Sequence, residues 1–123
     1  MGGLADVSGA LGKYLKQEGL DIRLVMPFYS SIETADHQFR LVEHLHSAEL
    51  WMGNRRILFS VLTSKLPGSS ADVYFIHCPE MFNRWSIYTN DADEYLRFAL
   101  LSRAALEICQ ILGWAPDIIH AND

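Results

Sequence analysis

The stretch Gly2–Pro27, GGLADVSGALGKYLKQEGLDIRLVMP, decides the fold of this chain. Its first half predicts an amphipathic helix, because apolar residues recur there at spacings of three and four: Leu4, Val7, Leu11 and Leu15. Gly19 is the expected C-terminal cap of this helix. The apolar run 22–26 then predicts a buried strand of a parallel sheet, which Pro27 ends. A helix followed at once by a buried strand is typical of an α/β fold.

The middle of the chain predicts a β-hairpin that is inserted into this frame. Apolar residues alternate with polar ones in two runs, 39–51 and 57–61, and a turn is expected between them at 52–54. A third apolar run, 72–77, ends before Pro79. These runs predict short strands rather than helices.

The last third of the chain predicts a long helix and a final strand. The pattern from Asn90 to Leu112 is helical, with Asp91 as a fair N-cap. Because apolar residues surround most of its circumference, we expect this helix to be buried. The run 117–120 predicts a strand with polar residues at its C-terminal end. Together the elements predict a Rossmann-like α/β domain, with a mostly parallel sheet and helices on both faces.

Both ends of this predicted sheet look incomplete. No strand precedes the helix at Gly2, and no helix follows the strand that ends near Asp123, although parallel strands need crossover helices. We therefore expect residues 1–123 to be a fragment of a longer fold, without its first strand. An exposed hydrophobic sheet edge would then favour self-association of the chain.

Composition and charge exclude several classes of protein. Half of the 123 residues are hydrophobic, which supports a packed core and rules out a disordered chain. The net charge is −5 and the densest basic cluster is Arg55-Arg56, so we expect no nucleic-acid partner. No apolar run approaches the roughly 18 residues of a membrane span, and the N-terminus has no signal pattern. A cytoplasmic protein without a membrane partner is expected.

The cysteines and histidines give no signal for a metal site. Cys78 and Cys109 are far apart in sequence and flanked by apolar residues, so we interpret them as buried thiols; a disulfide or a reactive thiol is the alternative. Zinc sites usually show tighter spacing and Cys or carboxylate partners. The histidines considered as ligands are His44, His46, His77 and His120. We expect neither a metal nor a cofactor.

The first candidate site is the Gly2-Gly3 pair where the first helix begins. A helix N-terminus offers unpaired N–H groups and a partial positive charge, and glycine lets an anion approach the backbone without a Cβ in the way. Phosphate or pyrophosphate is the natural ligand. An ordinary entry turn is the alternative. Asp6 is expected in the first turn, where it would compensate the helix dipole.

The second candidate site follows the last predicted strand. Ligands of open α/β sheets bind beyond the carboxyl ends of strands, where His120, Asn122 and Asp123 are expected. The alternatives are a helix N-cap for Asn122 or Asp123 and a core position for His120. A nearby loop has side chains that fit a sugar or else anchor the loop: Trp85, Tyr88 and Asn90.

Three blocks of the chain resemble bacterial glycogen synthases and plant starch synthases. GGLADVSGAL, with the helix and strand up to Pro27, resembles the family's Lys-x-Gly-Gly-Leu-Ala-Asp-Val motif and its following strand. The other two blocks are RFALLSRAALE at 97–107 and WAPDIIHAND at 114–123. Together they cover nearly the whole chain.

The resemblance implies a retaining glycosyltransferase of the GT-B type, with two Rossmann-like domains, and residues 1–123 would form part of the N-terminal one. Such enzymes transfer glucose from ADP-glucose to the non-reducing end of an α-1,4-glucan, without a metal. The substrate-binding residues implied in this chain are Gly2, Gly3, Asp6, His120 and Asn122. Gly2 and Gly3 would lie against the phosphates of the nucleotide sugar. Asp123 is the implied catalytic-site residue.

The chain also departs from the family pattern. Met1 stands where the motif has Lys-x, and YTNDADEY at 88–95 replaces the usual acceptor-side Asp-Tyr-Pro-Asp-Asn segment. The C-terminal domain, which supplies an Arg, a Lys and a Glu, is absent from these residues, so we expect the isolated chain to be inactive. The alternatives are a glucan- or partner-binding module that uses Trp51, Trp85, Tyr88 and nearby aromatic residues, or a related transferase with a UDP- or GDP-sugar donor. A bacterial parent implies the cytoplasm, and a plant parent implies the plastid.

Overall fold

The computed structural model describes residues 2–29, 38–82 and 94–122 of the chain. Its elements, in chain order, are α1 (Gly2–Gln17), β1 (Arg23–Pro27), β2 (Arg40–Leu41), β3 (Ala48–Met52), β4 (Arg55–Lys65), β5 (Asp72–His77), α2 (Pro79–Phe82) and α3 (Glu94–Ile111). The predicted first helix, first strand, hairpin and second long helix are all present. The α/β class is therefore confirmed.

The five strands form one mixed sheet. The order across it is β1-β5-β4-β2, and β3 pairs with the first half of β4. β1 and β5 are parallel, as predicted, whereas β4 is antiparallel to β2, β3 and β5. The sheet is thus less parallel than expected, because the hairpin inserted between β1 and β5 contributes three of its five strands.

β4 is the central strand, and its sequence explains why. Every second residue of its middle is buried, namely Ile57, Phe59, Val61 and Thr63. This alternation places one face of the strand on the core and leaves Leu58, on the other face, 43% exposed. The buried Thr63 hydroxyl donates a hydrogen bond to the carbonyl of Val73 on β5 at 3.0 Å, so its polar atom is satisfied.

A glycine cap follows each long helix two residues after its last helical residue, as the sequence predicts. Gly19 and Gly113 adopt positive φ angles of 87° and 64°, a conformation that glycine reaches without steric cost. The Gly19 amide donates to the Lys16 carbonyl at 3.0 Å, and the Gly113 amide donates to the Gln110 carbonyl at 3.1 Å. These caps turn the chain back toward the sheet.

Only one face of α3 is buried among the described residues. That face consists of Arg97, Leu100, Ala104 and Ile108, and it packs toward α2 and β1. Tyr95 and Leu106, on other sides of the helix, are 69% and 56% exposed. The prediction of a helix buried around most of its circumference is therefore wrong here, since no described element covers the outer face.

The prediction of a strand at 117–120 is also wrong. The described residues 114–122 form neither helix nor strand, and Ile118 and Ile119 are 83% and 63% exposed. A strand needs a hydrogen-bonded neighbour, and no described strand lies beside this segment. Among the described helices, none has the length and apolar character required to cross a membrane.

Candidate functional site

The glycines of the first candidate site lie in the first turn of α1. The helix begins at Gly2, so the N–H groups of its first turn have no acceptor within the helix. Those groups and the helix dipole favour an anion at this end. The first turn contains no acidic residue, since Asp6, which we expected there, lies in the second turn. The local electrostatics of the first turn therefore suit a phosphate group.

A close contact between α1 and β1 fixes where this helix end lies. A Cβ built on Gly12 would be 2.9 Å from Cδ1 of Leu24, so the helix backbone approaches the strand closely at this point. From Gly12 to Gly2 the helix extends about 15 Å. From Leu24 to Pro27 the strand extends about 10 Å. Because a short connection joins the end of α1 to the beginning of β1, the N-terminus of α1 lies beyond the carboxyl end of β1.

The C-terminal end of α3 lies at the amino end of β1. Trp114, which follows α3, donates from Nε1 to Oδ2 of Asp21 at 2.9 Å, and its ring centroid lies 4.2 Å from Cζ of Arg23. Arg23 also donates from Nε to Oδ1 of Asp21 at 3.3 Å. The hydrogen bond from Arg23, followed by the one from Trp114, lowers the pKa of the Asp21 carboxyl. The N-terminus of α3 therefore lies at the carboxyl edge of the sheet, as that of α1 does.

Four aromatic side chains from the end of β1, the start of β2 and from β5 form a cluster on the sheet. Phe28 directly follows β1, and its ring centroid lies 5.7 Å from that of His77 and 6.0 Å from that of Phe75 on β5. Phe39 lies 5.1 Å from Phe75 and 5.3 Å from Phe28. All four pairs are edge-to-face, a favourable arrangement for aromatic rings. This cluster was not predicted, although Phe28, Phe39 and His77 each stand at or beside the end of a predicted strand.

A buried arginine lies at the carboxyl edge of the sheet. Arg97 is in the first turn of α3, and its side chain is 0% exposed. Its three guanidinium nitrogens have no hydrogen-bond partner in the structure as described. Arg97 begins the block 97–107 that carries the family resemblance, but it is not among the site residues predicted from sequence. A signal was available, however, because Arg97 precedes Leu100 and Ala104 at helical spacing and so shares their core-facing side.

The second candidate site is not assembled by the described residues. His120 and Asn122 lie in the exposed segment 114–122, and both are exposed. Asp123 lies outside the described residues, as do Trp85, Tyr88 and Asn90. The structure therefore places the first candidate site at the carboxyl edge and leaves the second as a prediction.

The cysteines do not form a reactive pair. Cys78 is 1% exposed, and its burial, followed by the nearby Glu80 charge, raises the pKa of the thiol to about 11. A thiol with that pKa is almost wholly protonated at neutral pH and is a poor nucleophile. Cys109 is free and half-buried, so the prediction of buried thiols is confirmed for Cys78 and holds in part for Cys109. Within residues 2–29, 38–82 and 94–122, no three His, Cys, Asp or Glu side chains come together as a metal site would require.

Trp51, a candidate for glucan binding, is 52% exposed on β3. Its Nε1 donates to Oε1 of Glu49 at 2.7 Å, and Arg56 donates from Nε to Oε2 of the same carboxylate at 2.6 Å. Hydrogen bonds from Arg56, then from Trp51, lower the pKa of Glu49. The indole is thus held in place at the surface of the inserted hairpin, and Arg103 of α3 donates a hydrogen bond to the Trp51 carbonyl.

Two open depressions lie elsewhere on the molecule. Their volumes are about 410 and 470 Å³, and both are lined by Arg40, Thr63 and Asp72. Asp72 begins β5, so these depressions lie toward the amino end of that strand, opposite the candidate edge. They do not contain any residue that the sequence analysis assigned to a site.

Comparison with known proteins gives one consistent result. The family model for the starch synthase catalytic domain matches residues 1–123. Glycogen synthase 1 of Geobacter sulfurreducens is 39% identical over 127 residues, which cover 99% of this chain and 25% of that protein. Glycogen synthase of Photobacterium profundum is 36% identical, over 99% of this chain and 24% of that protein.

A solved structure agrees with these matches. The catalytic domain of starch synthase IV from Arabidopsis thaliana, bound to ADP and acarbose, superposes with a TM-score of 0.83 at 30% identity. The match covers 98% of this chain and 24% of that chain. The chain thus spans about a quarter of the length of the proteins that it matches.

Proposed function

The chain belongs to the starch synthase catalytic domain family, and we propose that it is part of a retaining transferase that moves glucose from ADP-glucose to the non-reducing end of an α-1,4-glucan. The match to glycogen synthases over 99% of the chain is the observation that carries this proposal. The starch synthase IV structure supports the choice of donor, because that protein is bound to ADP. The proposed reaction uses no metal or cofactor, and we place the protein in the cytoplasm of a bacterium, or in the plastid if its source is a plant.

In this proposal, Gly2 and Gly3 bind the diphosphate of the donor. The N–H groups of the first turn of α1 have no acceptor within the helix, and glycine presents them without a side chain in the way. When the glycosidic bond to the nucleotide breaks, negative charge accumulates on the departing diphosphate. A preorganised helix N-terminus stabilises that charge more than it stabilises the bound donor, and so it lowers the barrier.

The remaining candidate residues have proposed roles at the sugar. Asp123 would face the reacting glucosyl unit, and Asp6 would face the glucosyl or acceptor region. His120 and Asn122 would support Asp123 from the segment that follows α3. The exposure of His120 and Asn122 leaves both side chains accessible to a ligand.

We further propose that the 123-residue chain does not transfer glucose by itself. It spans about a quarter of the matched enzymes, and stabilisation of a departing diphosphate needs cationic side chains as well as the helix terminus. Self-association of the chain is also proposed. β1 ends the strand order, with a described partner on one side only, and such an edge is a template for pairing with a second copy.

The test of the proposed function is a donor competition assay. The full-length polypeptide is incubated with glycogen and radiolabelled ADP-glucose, and incorporation into the glucan is measured with and without unlabelled UDP-glucose or GDP-glucose. We expect incorporation from ADP-glucose that neither competitor suppresses at equal concentration. Suppression by UDP- or GDP-glucose would assign a different donor, and absence of incorporation from any of the three would overturn the proposal.

A further inference from the structure

We propose that Arg97 is a phosphate-binding residue at the carboxyl edge of the sheet, an inference that rests on the proposed function for the identity of its ligand. The observation behind it is a fully buried guanidinium, 0% exposed, whose Nε, Nη1 and Nη2 lack hydrogen-bond partners in the structure as described. Burial of a charged group without a partner is strongly unfavourable, so such a group needs an anion to complete it.

Three carboxylates of the described residues are engaged with other groups. Asp21 accepts from Arg23 and Trp114, Glu49 accepts from Arg56 and Trp51, and Asp72 pairs with Lys65 at 2.6 Å. None of these carboxylates is paired with Arg97. The guanidinium also lies near the Phe98 ring, whose centroid is 5.9 Å from Cζ of Arg97. A ring at that distance attracts a cation, but it does not accept hydrogen bonds from the five N–H groups of the guanidinium.

The position of Arg97 identifies the kind of anion that fits. Side chains of a helix lean toward its N-terminus, so the guanidinium of Arg97 leans toward the carboxyl edge of β1 and β5. The N-termini of α1 and α3 lie at the same edge, as the contacts of Gly12 with Leu24 and of Trp114 with Asp21 establish. Two helix N-termini and a guanidinium concentrate positive potential there. A guanidinium binds phosphate through two parallel N–H···O bonds. A diphosphate has enough oxygens to bind the guanidinium and a helix N-terminus at the same time.

The first test measures anion binding without any transferase assay. Thermal unfolding of the chain is followed with inorganic pyrophosphate and with sodium chloride of equal ionic strength. Arg97→Met removes the charge and keeps a similar apolar volume, whereas Arg103→Met removes the same charge from the same helix at an exposed position. We expect pyrophosphate to raise the Tm of the wild type and of Arg103→Met but not that of Arg97→Met. The loss in pyrophosphate affinity should be about tenfold to a hundredfold.

The same variants reveal whether the guanidinium is already paired within the chain. If it has no partner, Arg97→Met should melt at the wild-type temperature or above it in the absence of pyrophosphate, because a buried unpaired charge is removed. A much lower Tm, or failure of Arg97→Met to fold, would show that Arg97 pairs with a group of the chain and would overturn the proposal. Equal responses of the wild type and Arg97→Met to pyrophosphate, or no response by either, would overturn it as well.

A second test separates this inference from the proposed function. In the full-length polypeptide, Arg97→Lys keeps the charge but not the two-point contact, so the KM for ADP-glucose should rise severalfold and that for glycogen should not change. Glucose transfer with an unchanged KM would leave the proposed function standing and contradict the role of Arg97. A pyrophosphate response that depends on Arg97, in a protein that does not use ADP-glucose, would support the phosphate site and contradict the donor assignment.

Discussion

β4 and α3 are both long elements with a repeated apolar pattern, and they are buried to different degrees. β4 is paired along its whole length, with β3 over residues 55–59 and with β5 over residues 60–65, and the inward face of its middle is covered by the core. α3 packs one face on α2 and β1, while Tyr95 and Leu106 remain mostly exposed. An apolar pattern thus shows which residues can be buried, but neighbouring elements decide which residues are buried.

The largest effect that this comparison predicts is at Phe59, which is 2% exposed at the centre of β4. Phe59→Ala should lower the free energy of unfolding by about 3–5 kcal/mol, because it removes buried apolar surface and leaves a cavity. Urea unfolding followed by circular dichroism measures the loss. Leu58→Ala, on the opposite face of the same strand, is the control and should cost less than about 1 kcal/mol. Equal losses would mean that both faces of β4 are covered in solution.

A second pair of variants compares the two faces of α3. Leu100→Ala should lower the free energy of unfolding by about 2–5 kcal/mol, since Leu100 is fully buried. Leu106→Ala should change it by no more than about 0.5 kcal/mol, because Leu106 is 56% exposed. Both are measured by urea unfolding at several protein concentrations. A large, concentration-dependent cost for Leu106→Ala would contradict an uncovered outer face and would indicate a second copy packed against it.

The fold could be predicted from sequence wherever short-range signals agree with one another. Alternation in 57–61, the turn at 52–54 and the glycine caps are each fixed by neighbouring residues, and all were correct. The segment 117–120 was predicted as a strand because it is apolar and follows a helix. Strand formation depends on a partner that a local pattern does not contain, which explains the error.

The candidate site could likewise be predicted only where short-range signals define it. The Gly2-Gly3 helix start follows from local rules, and the structure places it in the first turn of α1. The convergence of α1, α3 and Arg97 on one edge depends on long-range contacts such as that of Trp114 with Asp21. No spacing along the chain encodes that contact, so sequence reasoning did not find Arg97.

A third prediction compares two glycines of α1, Gly9 and Gly12. The close approach of this helix to β1 depends on the small size of Gly12. Gly9→Ala should stabilise the chain by about 0.5–1 kcal/mol, since alanine favours helix and a Cβ at Gly9 meets nothing within 4 Å. Gly12→Ala should gain less than Gly9→Ala or lose stability, because its Cβ would lie 2.9 Å from Cδ1 of Leu24. Thermal unfolding of the two variants compares them directly. An equal gain at both positions would show that α1 does not approach β1 as closely as described.

The smallest predicted effect is the pH dependence of the Asp21 contact between the end of α3 and β1. The folded-state pKa of Asp21 is lowered from its ordinary value of 3.8 by the hydrogen bonds of Arg23 and Trp114. A lowered pKa stabilises the folded chain above the unfolded-state value, and that stabilisation is lost as the pH falls through the folded-state pKa. Asp21→Asn should therefore flatten the Tm profile below about pH 4. Asp117→Asn, at an exposed position in 114–122, is the control; an unchanged profile for Asp21→Asn would contradict the role of this contact.

The most direct test of the central claim, that the first turn of α1 binds the diphosphate of ADP-glucose, is a steady-state comparison of Gly3→Ala with Gly9→Ala. Both variants add one methyl group to the same helix, and only the first adds it at the proposed phosphate site. In the full-length polypeptide, we predict that Gly3→Ala raises the KM for ADP-glucose about tenfold or more, at a cost of about 1.4 kcal/mol in binding, whereas Gly9→Ala leaves it unchanged. Equal KM values for the two variants would contradict the account.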